Sequence, residues 1–204
     1  MNKDILICGV GGQGTVMISK IIAAAAMKEG NRVHSAETIG MAQRGGPVTS
    51  HVRVGNEAFS PLVPFGSADV LIAFEPAEAV RNLRYLKPDG AAVVNTGAVK
   101  PVTESLLETG YDGREMIEYL RGKCNAIFVD AGLESSKAGS EKFFNVVILG
   151  TAAGTGYLGI DKDTILAQID DLLEGRGALA KANREAFLIG YEIGKQSADE
   201  RGQK

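Results

Sequence analysis

A chain of 204 residues with 45% hydrophobic content is long enough for one domain around a sizeable core, and a single domain over residues 1–204 is expected. The net charge of −3, with acids and bases interspersed, offers no basic block to neutralise a row of phosphates and argues against nucleic acid as a partner. The longest apolar stretches, Ile5–Val10 and Ile21–Met27, fall far short of the roughly 20 residues a bilayer span needs, so no membrane partner is expected.

Met1-Asn2-Lys3-Asp4 runs straight into a strand-like segment, without the basic and apolar regions of a secretory signal, and a cytoplasmic location is expected. Apolar, β-branched runs then alternate with segments of helical period. That pattern predicts a Rossmann-like, doubly wound, mostly parallel α/β sheet with helices on both faces and a helical C-terminal region. The predicted strands are Ile5–Val10, Arg32–Glu37, Thr49–Val54, Val70–Phe74, Ala91–Asn95 and Ala126–Asp130. Helices are predicted over Thr15–Glu29, closed by Gly30, and over Pro76–Leu86, with Pro88-Asp89-Gly90 as the turn after it. Thr49–Val54 alternates polar and apolar, which places it at a sheet edge or in a hairpin with one wet face. Beyond Asp130, helices are predicted over Ser140–Leu158 and about 164–173 and 179–196, and the glycines at 150, 154, 156 and 159 permit either close packing or a break.

The first strand delivers the chain into Gly9-Val10-Gly11-Gly12-Gln13-Gly14-Thr15, where the next helix begins. Glycines let a backbone turn tightly and approach a ligand, and the free amides and positive dipole end of a helix start favour an anion. Gly9, Gly11 and Gly14 satisfy G-x-G-x-x-G, and Glu37 falls where an acid takes the ribose hydroxyls of NAD or FAD. Three readings stay open on these residues: a dinucleotide site, a site for another anion or a partner surface, and a turn that only packs the helix on the sheet. A second glycine-rich segment, Gly40 to Pro47, follows strand two directly and is expected at the same carboxyl edge as the first.

Cys8-Gly9-Val10-Gly11-Gly12-Gln13-Gly14, followed by Gly40-Met41-Ala42-Gln43-Arg44-Gly45-Gly46, Ser50-His51-Val52-Arg53 and Asp69 to Glu75, resembles the β subunit of indolepyruvate:ferredoxin oxidoreductase. That subunit is similar to the γ subunit or domain of pyruvate and 2-oxoglutarate oxidoreductases. The resemblance implies that the glycine loop replaces a true NAD site. It also implies a larger catalytic partner carrying thiamine diphosphate, magnesium and iron–sulfur clusters, with coenzyme A as co-substrate and ferredoxin reached indirectly. On this reading the isolated chain is inactive and contributes its two loops to an intersubunit site. The alternatives are a free-standing NAD- or FAD-binding protein and a module that captures coenzyme A or another anion.

The residues agree with a cofactor-poor chain. Two distant cysteines, Cys8 and Cys124, lack C-x-x-C spacing and fall short of the four thiolates an iron–sulfur cluster usually takes, and both read as buried, reduced thiols. No Gly-Asp-Gly diphosphate–magnesium segment occurs. The candidate contributors are therefore few: Gly9, Gly11, Gly12, Gln13, Gly14 and Thr15 in the first loop, and Gly40, Gln43, Arg44, Gly45 and Gly46 in the second. Arg44 has the planar fork that clamps carboxylates and phosphates, or an ion pair at an interface, and Gln43 can donate and accept beside it. His51 titrates near neutrality, although a lone strand histidine is more often structural. His34 has less to recommend it, and no metal site is assigned. Glu75 either lines the shared cleft or favours the start of the helix at Pro76. Phe143–Gly150 reads as helix core, with partner packing as the alternative.

Overall fold

The computed structural model describes residues 1–40, 45–100 and 110–202. Its six strands are β1 (Lys3–Val10), β2 (Val33–Ile39), β3 (Pro47–Val54), β4 (Ala68–Ala73), β5 (Leu86–Asn95) and β6 (Asn125–Val129), in the sheet order β2-β3-β1-β4-β5-β6. β1, β4, β5 and β6 are parallel, while β3 runs antiparallel to both β1 and β2. The helices described are α1 (Thr15–Lys28), α2 (Pro76–Asn82), α3 (Arg114–Arg121), α4 (Ala131–Ser136), α5 (Phe144–Gly154), α6 (Lys162–Leu172) and α7 (Gly177–Gly202). No helix among the described residues is long and apolar enough to cross a membrane.

Side chains of a strand alternate between faces, so β1 feeds two cores. Ile5 and Ile7 join Val52, Val70, Ile72 and Val93 under α1, α5, α6 and α7. Leu6 and Cys8 join Leu71, Ala73, Ala92 and Val94 under α2, Leu120 of α3 and Val63 of the β3–β4 loop. Each fully buried aliphatic side chain stabilises the fold by roughly 1.5–3 kcal/mol, so the thicker first face holds most of the stability.

The C-terminal layer rests on glycine. A Cβ added to Gly150 or Gly154 of α5 would lie 2.1 Å from the carbonyl oxygen of Phe187 or Tyr191 in α7, and one added to Gly190 or Gly194 would lie 2.0 or 2.1 Å from that of Val147 or Thr151. Two G-x-x-x-G faces therefore press backbone on backbone, the spacing that puts both glycines of each helix on one stripe. Gly156 and Gly159 do the other job: both have positive φ, 76° and 66°, in the turn that follows α5. Buried α5 is core from Asn145 to Ala153, as its apolar sequence suggests.

Several expectations need correction. Thr49–Val54 forms a hairpin arm with β2, but β3 is interior, paired on both sides, and His51, Ser50 and Val52 are buried instead of wet. The second helix stops at Asn82, continues as a 3-10 turn over Leu83–Tyr85, and Pro88-Asp89-Gly90 lies inside β5, not in a turn. The helix expected from Ser140 opens with a 3-10 turn at Glu141–Phe143 and ends at Gly154. Helices α3 and α4 are additions; at eight and six residues both fall short of the roughly ten to twelve by which a helix is recognised from its sequence. Cys124 is half-buried, while Cys8 is fully buried.

Candidate functional site

Chain direction changes at the junction of β1 and β4. The chain leaves β1 for α1 on one face and leaves β4 for α2 on the other, which opens a crevice at the carboxyl ends of these two strands. Both glycine-rich loops arrive there. The Gly11 N–H donates to the Gly46 carbonyl at 2.8 Å, and the Gly45 N–H donates to the Gly11 carbonyl at 3.3 Å. The reason is the register of β3, whose first residue Pro47 lies opposite Val10, the last of β1.

The first loop is filled from within. Gln13 folds its carboxamide back so that Oε1 accepts from the Val10 N–H at 2.6 Å and Nε2 donates to the Phe74 carbonyl at 3.1 Å. Asn95 Nδ2 donates to the same carbonyl at 3.1 Å, and its Oδ1 accepts from the Ala131 N–H at 3.2 Å, tying β4, β5 and α4 together. From the other side Asn145 of α5 donates to the Gln13 carbonyl at 3.2 Å, and its amide nitrogen lies 2.3 Å from where a Cβ on Gly14 would sit. Gly9 is constrained likewise, since a Cβ there would lie 2.8 Å from Gln13 Oε1. Gly12 and Gly14 hold φ of 104° and 90°, and Gly12 faces open space. Gly14 is the N-cap of α1, with no side-chain cap and no acid in the first turn, while Thr15 is buried.

Geometry also separates Glu37 from the loop. In a dinucleotide fold, strand two neighbours strand one, but here β3 lies between them, and two strand spacings amount to about 10 Å. Glu37 instead turns toward Ser19 of α1, whose hydroxyl lies 3.5 Å from its Oε1.

Open space lies beside the crevice, on the α2 side. A cleft of about 460 Å³ is walled by Val10, Pro47, Val80, Val99 and Met116, with Glu75, Glu78, Arg81, Lys100 and Tyr111 supplying polar groups and Gly45 at its border. Glu75 favours the start of α2, as its position before Pro76 suggested, and also borders this cleft. Its Oε2 accepts from the Glu78 N–H at 3.0 Å and caps α2, and its Oε1 accepts from the Tyr111 hydroxyl at the cleft. Burial, then the Glu75 carboxylate, pushes the Tyr111 hydroxyl well above the ordinary tyrosine range. Burial raises Glu78 as well, against the opposing pull of Arg81 at 2.7 Å. Cys8 lies under these carboxylates, and burial, then Glu78 and Glu75, hold its thiol well above the usual value.

Gln43 and Arg44 lie outside the described residues. Gly40 is half-buried at the end of β2, and Gly45, at φ 78°, is exposed. His51 is placed away from the cleft, where its Nδ1 accepts from the Val63 N–H at 3.1 Å and its ring meets Tyr85 edge-on at 5.6 Å. Asn95, Asn145 and Tyr111 carry no motif. The only trace of Asn145 in the sequence is a polar residue inside an apolar run, and Tyr111 leaves none.

Cys8 and Cys124, three strand positions apart, do not fit an iron–sulfur cluster, and burial raises both thiols. Among the described residues no group of three His, Cys, Asp or Glu side chains gathers as metal ligands for a diphosphate–magnesium complex.

Residues 4–193 match the pyruvate ferredoxin/flavodoxin oxidoreductase family. Indolepyruvate oxidoreductase subunit IorB of Archaeoglobus fulgidus is 37% identical over 94% of this chain and 94% of its own. The pyruvate/ketoisovalerate oxidoreductases common subunit gamma of Pyrococcus abyssi is 31% identical over 88% of this chain and 92% of its own. In fold, the chain is similar to the 2-oxoglutarate:ferredoxin oxidoreductase of Magnetococcus marinus, solved with 2-oxoglutarate, coenzyme A and succinyl-CoA bound. The TM-score is 0.74 at 21% identity, over 96% of this chain and 31% of that longer one.

Proposed function

The chain belongs to the pyruvate ferredoxin/flavodoxin oxidoreductase family, and from that premise we propose that it is the small, cofactor-poor subunit of a 2-oxoacid:ferredoxin oxidoreductase acting on indolepyruvate or a related arylpyruvate. The identity to a subunit named for indolepyruvate supports that substrate. The chain's own work is to supply the carboxyl edge of its sheet to a site completed by a larger subunit. That subunit bears thiamine diphosphate, magnesium and iron–sulfur clusters, takes coenzyme A as acyl acceptor and passes electrons to ferredoxin. One observation carries the reading. The switch-point crevice, where an α/β protein of this form holds its ligand, is filled by Gln13 and flanked by Asn145, and among the described residues a cleft lies open beside it.

The Pyrococcus relative is named as a subunit common to pyruvate and ketoisovalerate oxidoreductases. A part shared by two oxoacids supports a role in what the two reactions have in common, acyl transfer to coenzyme A and subunit contact, more than in oxoacid choice. The uncapped start of α1 favours coenzyme A or another anion as what the first loop meets.

Reconstitution tests this. The purified chain is expected to show no turnover, with activity toward an arylpyruvate, coenzyme A and a dye acceptor appearing only when the larger subunit is added. Full activity by the chain alone, or saturable binding of NAD(H) or FAD in calorimetry, would sink it. Coenzyme A is expected to raise the melting temperature of the reconstituted pair, and Gly12→Val to abolish that rise; no shift removes the coenzyme from this loop.

A further inference from the structure

The loop from Gly55 to Ser67, between β3 and β4, carries Phe59, Leu62 and Phe65 at 87%, 51% and 62% exposure, three large apolar side chains within seven residues. Exposed apolar side chains are ordinary when scattered, but a cluster on a fixed scaffold marks a contact surface. This loop is fixed. Val63 is buried and donates its N–H to His51 Nδ1, Arg53 Nη1 donates to the Ser60 carbonyl at 3.2 Å, and the Gly66 N–H donates to the Arg84 carbonyl at 2.9 Å. Phe65 lies 4.7 Å from Tyr85, centroid to centroid, and the Arg84 guanidinium sits 4.5 Å above the Phe65 ring.

We propose that this aromatic patch is where the chain docks the larger, cofactor-bearing subunit, on a surface that is apolar at its centre and presents a carboxylate to Arg84. The proposal rests on the reading of the chain as a small subunit. Charge decides the occupant. Among the described residues Arg84 contacts two aromatic rings and forms no ion pair with a carboxylate, so it reaches the surface as a cation pre-set on aromatic groups, the composition that dominates interface energies. A second copy docked through the same patch across a twofold axis would bring a second Arg84 cation into the interface, and like charges gathered there cost affinity. Position agrees. α2 and its 3-10 extension run from Glu75 at the cleft to Arg84 and Tyr85 at the patch, so one partner surface laid along this face meets both.

Sedimentation velocity on the wild-type chain mixed with the larger subunit, beside Phe65→Asp and Arg84→Glu, tests the proposal. Leu133→Asp, at a position 62% exposed on α4, is the control. Expected is a wild-type chain that is monomeric alone and binds the larger subunit, patch variants that melt like wild type yet bind about tenfold or more weakly, and an unaffected control. Equal binding by both patch variants overturns the docking surface while leaving the subunit assignment standing, as does equal loss in the control. A wild-type homodimer that Phe65→Asp dissolves makes the occupant a second copy and overturns it too. If wild type never binds the larger subunit, the assignment itself fails. Arg84→Glu keeps the aromatic residues in place, so the outcome does not depend on Phe65→Asp folding well.

Discussion

At the first loop, Gly12 and Gly14 are needed for their backbone angles, φ of 104° and 90°, whereas at the α5–α7 crossing Gly150, Gly154, Gly190 and Gly194 have ordinary helical backbones and are needed for what they lack. The contacts differ accordingly. A side chain on Gly14 meets the amide of Asn145, which can swing aside, but one on Gly190 meets the Val147 carbonyl, which cannot move without its helix. Glycine in the loop fixes a path for the chain, while glycine in the helices fixes a distance between two layers. The loop is built to be presented, and the helix pair to be kept shut.

The largest effect should therefore come from the helix pair. Gly190→Ala is expected to cost about 3 kcal/mol or more in chemical denaturation, because a methyl at 2.0 Å from a backbone oxygen forces the helices apart. A loss under about 1 kcal/mol would mean that the helices slide freely and would break the comparison. Gly14→Ala comes next, at about 2 kcal/mol from left-handed strain and the Asn145 contact. Adding Asn145→Ala should recover the contact part, whereas strict additivity of the two losses would show that Asn145 does not press on the loop. Gly12→Ala, facing open space, should carry the strain alone, about 1 kcal/mol.

An effect of similar size is a pH response in the middle of β3, under the loop that joins it to β4. Burial holds His51 below its usual 6.5, and its neutral Nδ1 accepts from Val63. With the folded value below the unfolded one, the stabilisation is fully present above pH 6.5 and is lost as pH falls through the lowered folded value. The protection factor of the Val63 amide should fall by a factor corresponding to about 1 kcal/mol over that range, before those of the α5–α7 amides respond. Simultaneous loss of protection in both regions would show that the docking loop and the helix layer unfold as one unit.

Much of the frame was legible in the residues. All six strands were placed within a few positions, except for the early start of β5 at Leu86, and the convergence of two glycine-rich loops followed from strand order at the carboxyl edge. What misled was pattern without context. The alternation of Thr49 to Val54 signals a wet face in isolation, yet His51 is covered by Val63 and Ser50 by the first-face core, because a strand between two others is sheltered whatever its own polarity. G-x-G-x-x-G with Glu37 suggested a dinucleotide, and the inserted β3 parts the two halves of that signal. Gly190 and Gly194 leave no trace in the sequence, since a glycine that matters through a neighbour 43 residues away, Val147 or Thr151, has no local signature.

By itself the sequence determined the alternation of strands and helices, the presence of a tight turn after β1 and a chain poor in thiolates, because periodicity, glycine content and ligand inventory are properties of neighbouring residues. Only tertiary structure decided that β3 enters between β1 and β2, that Gln13 and Asn145, 132 positions apart, close the crevice together, and that α5 and α7 touch backbone to backbone. Those outcomes depend on which layers bury the most apolar surface at once, a condition set by the whole chain and not by any stretch of it.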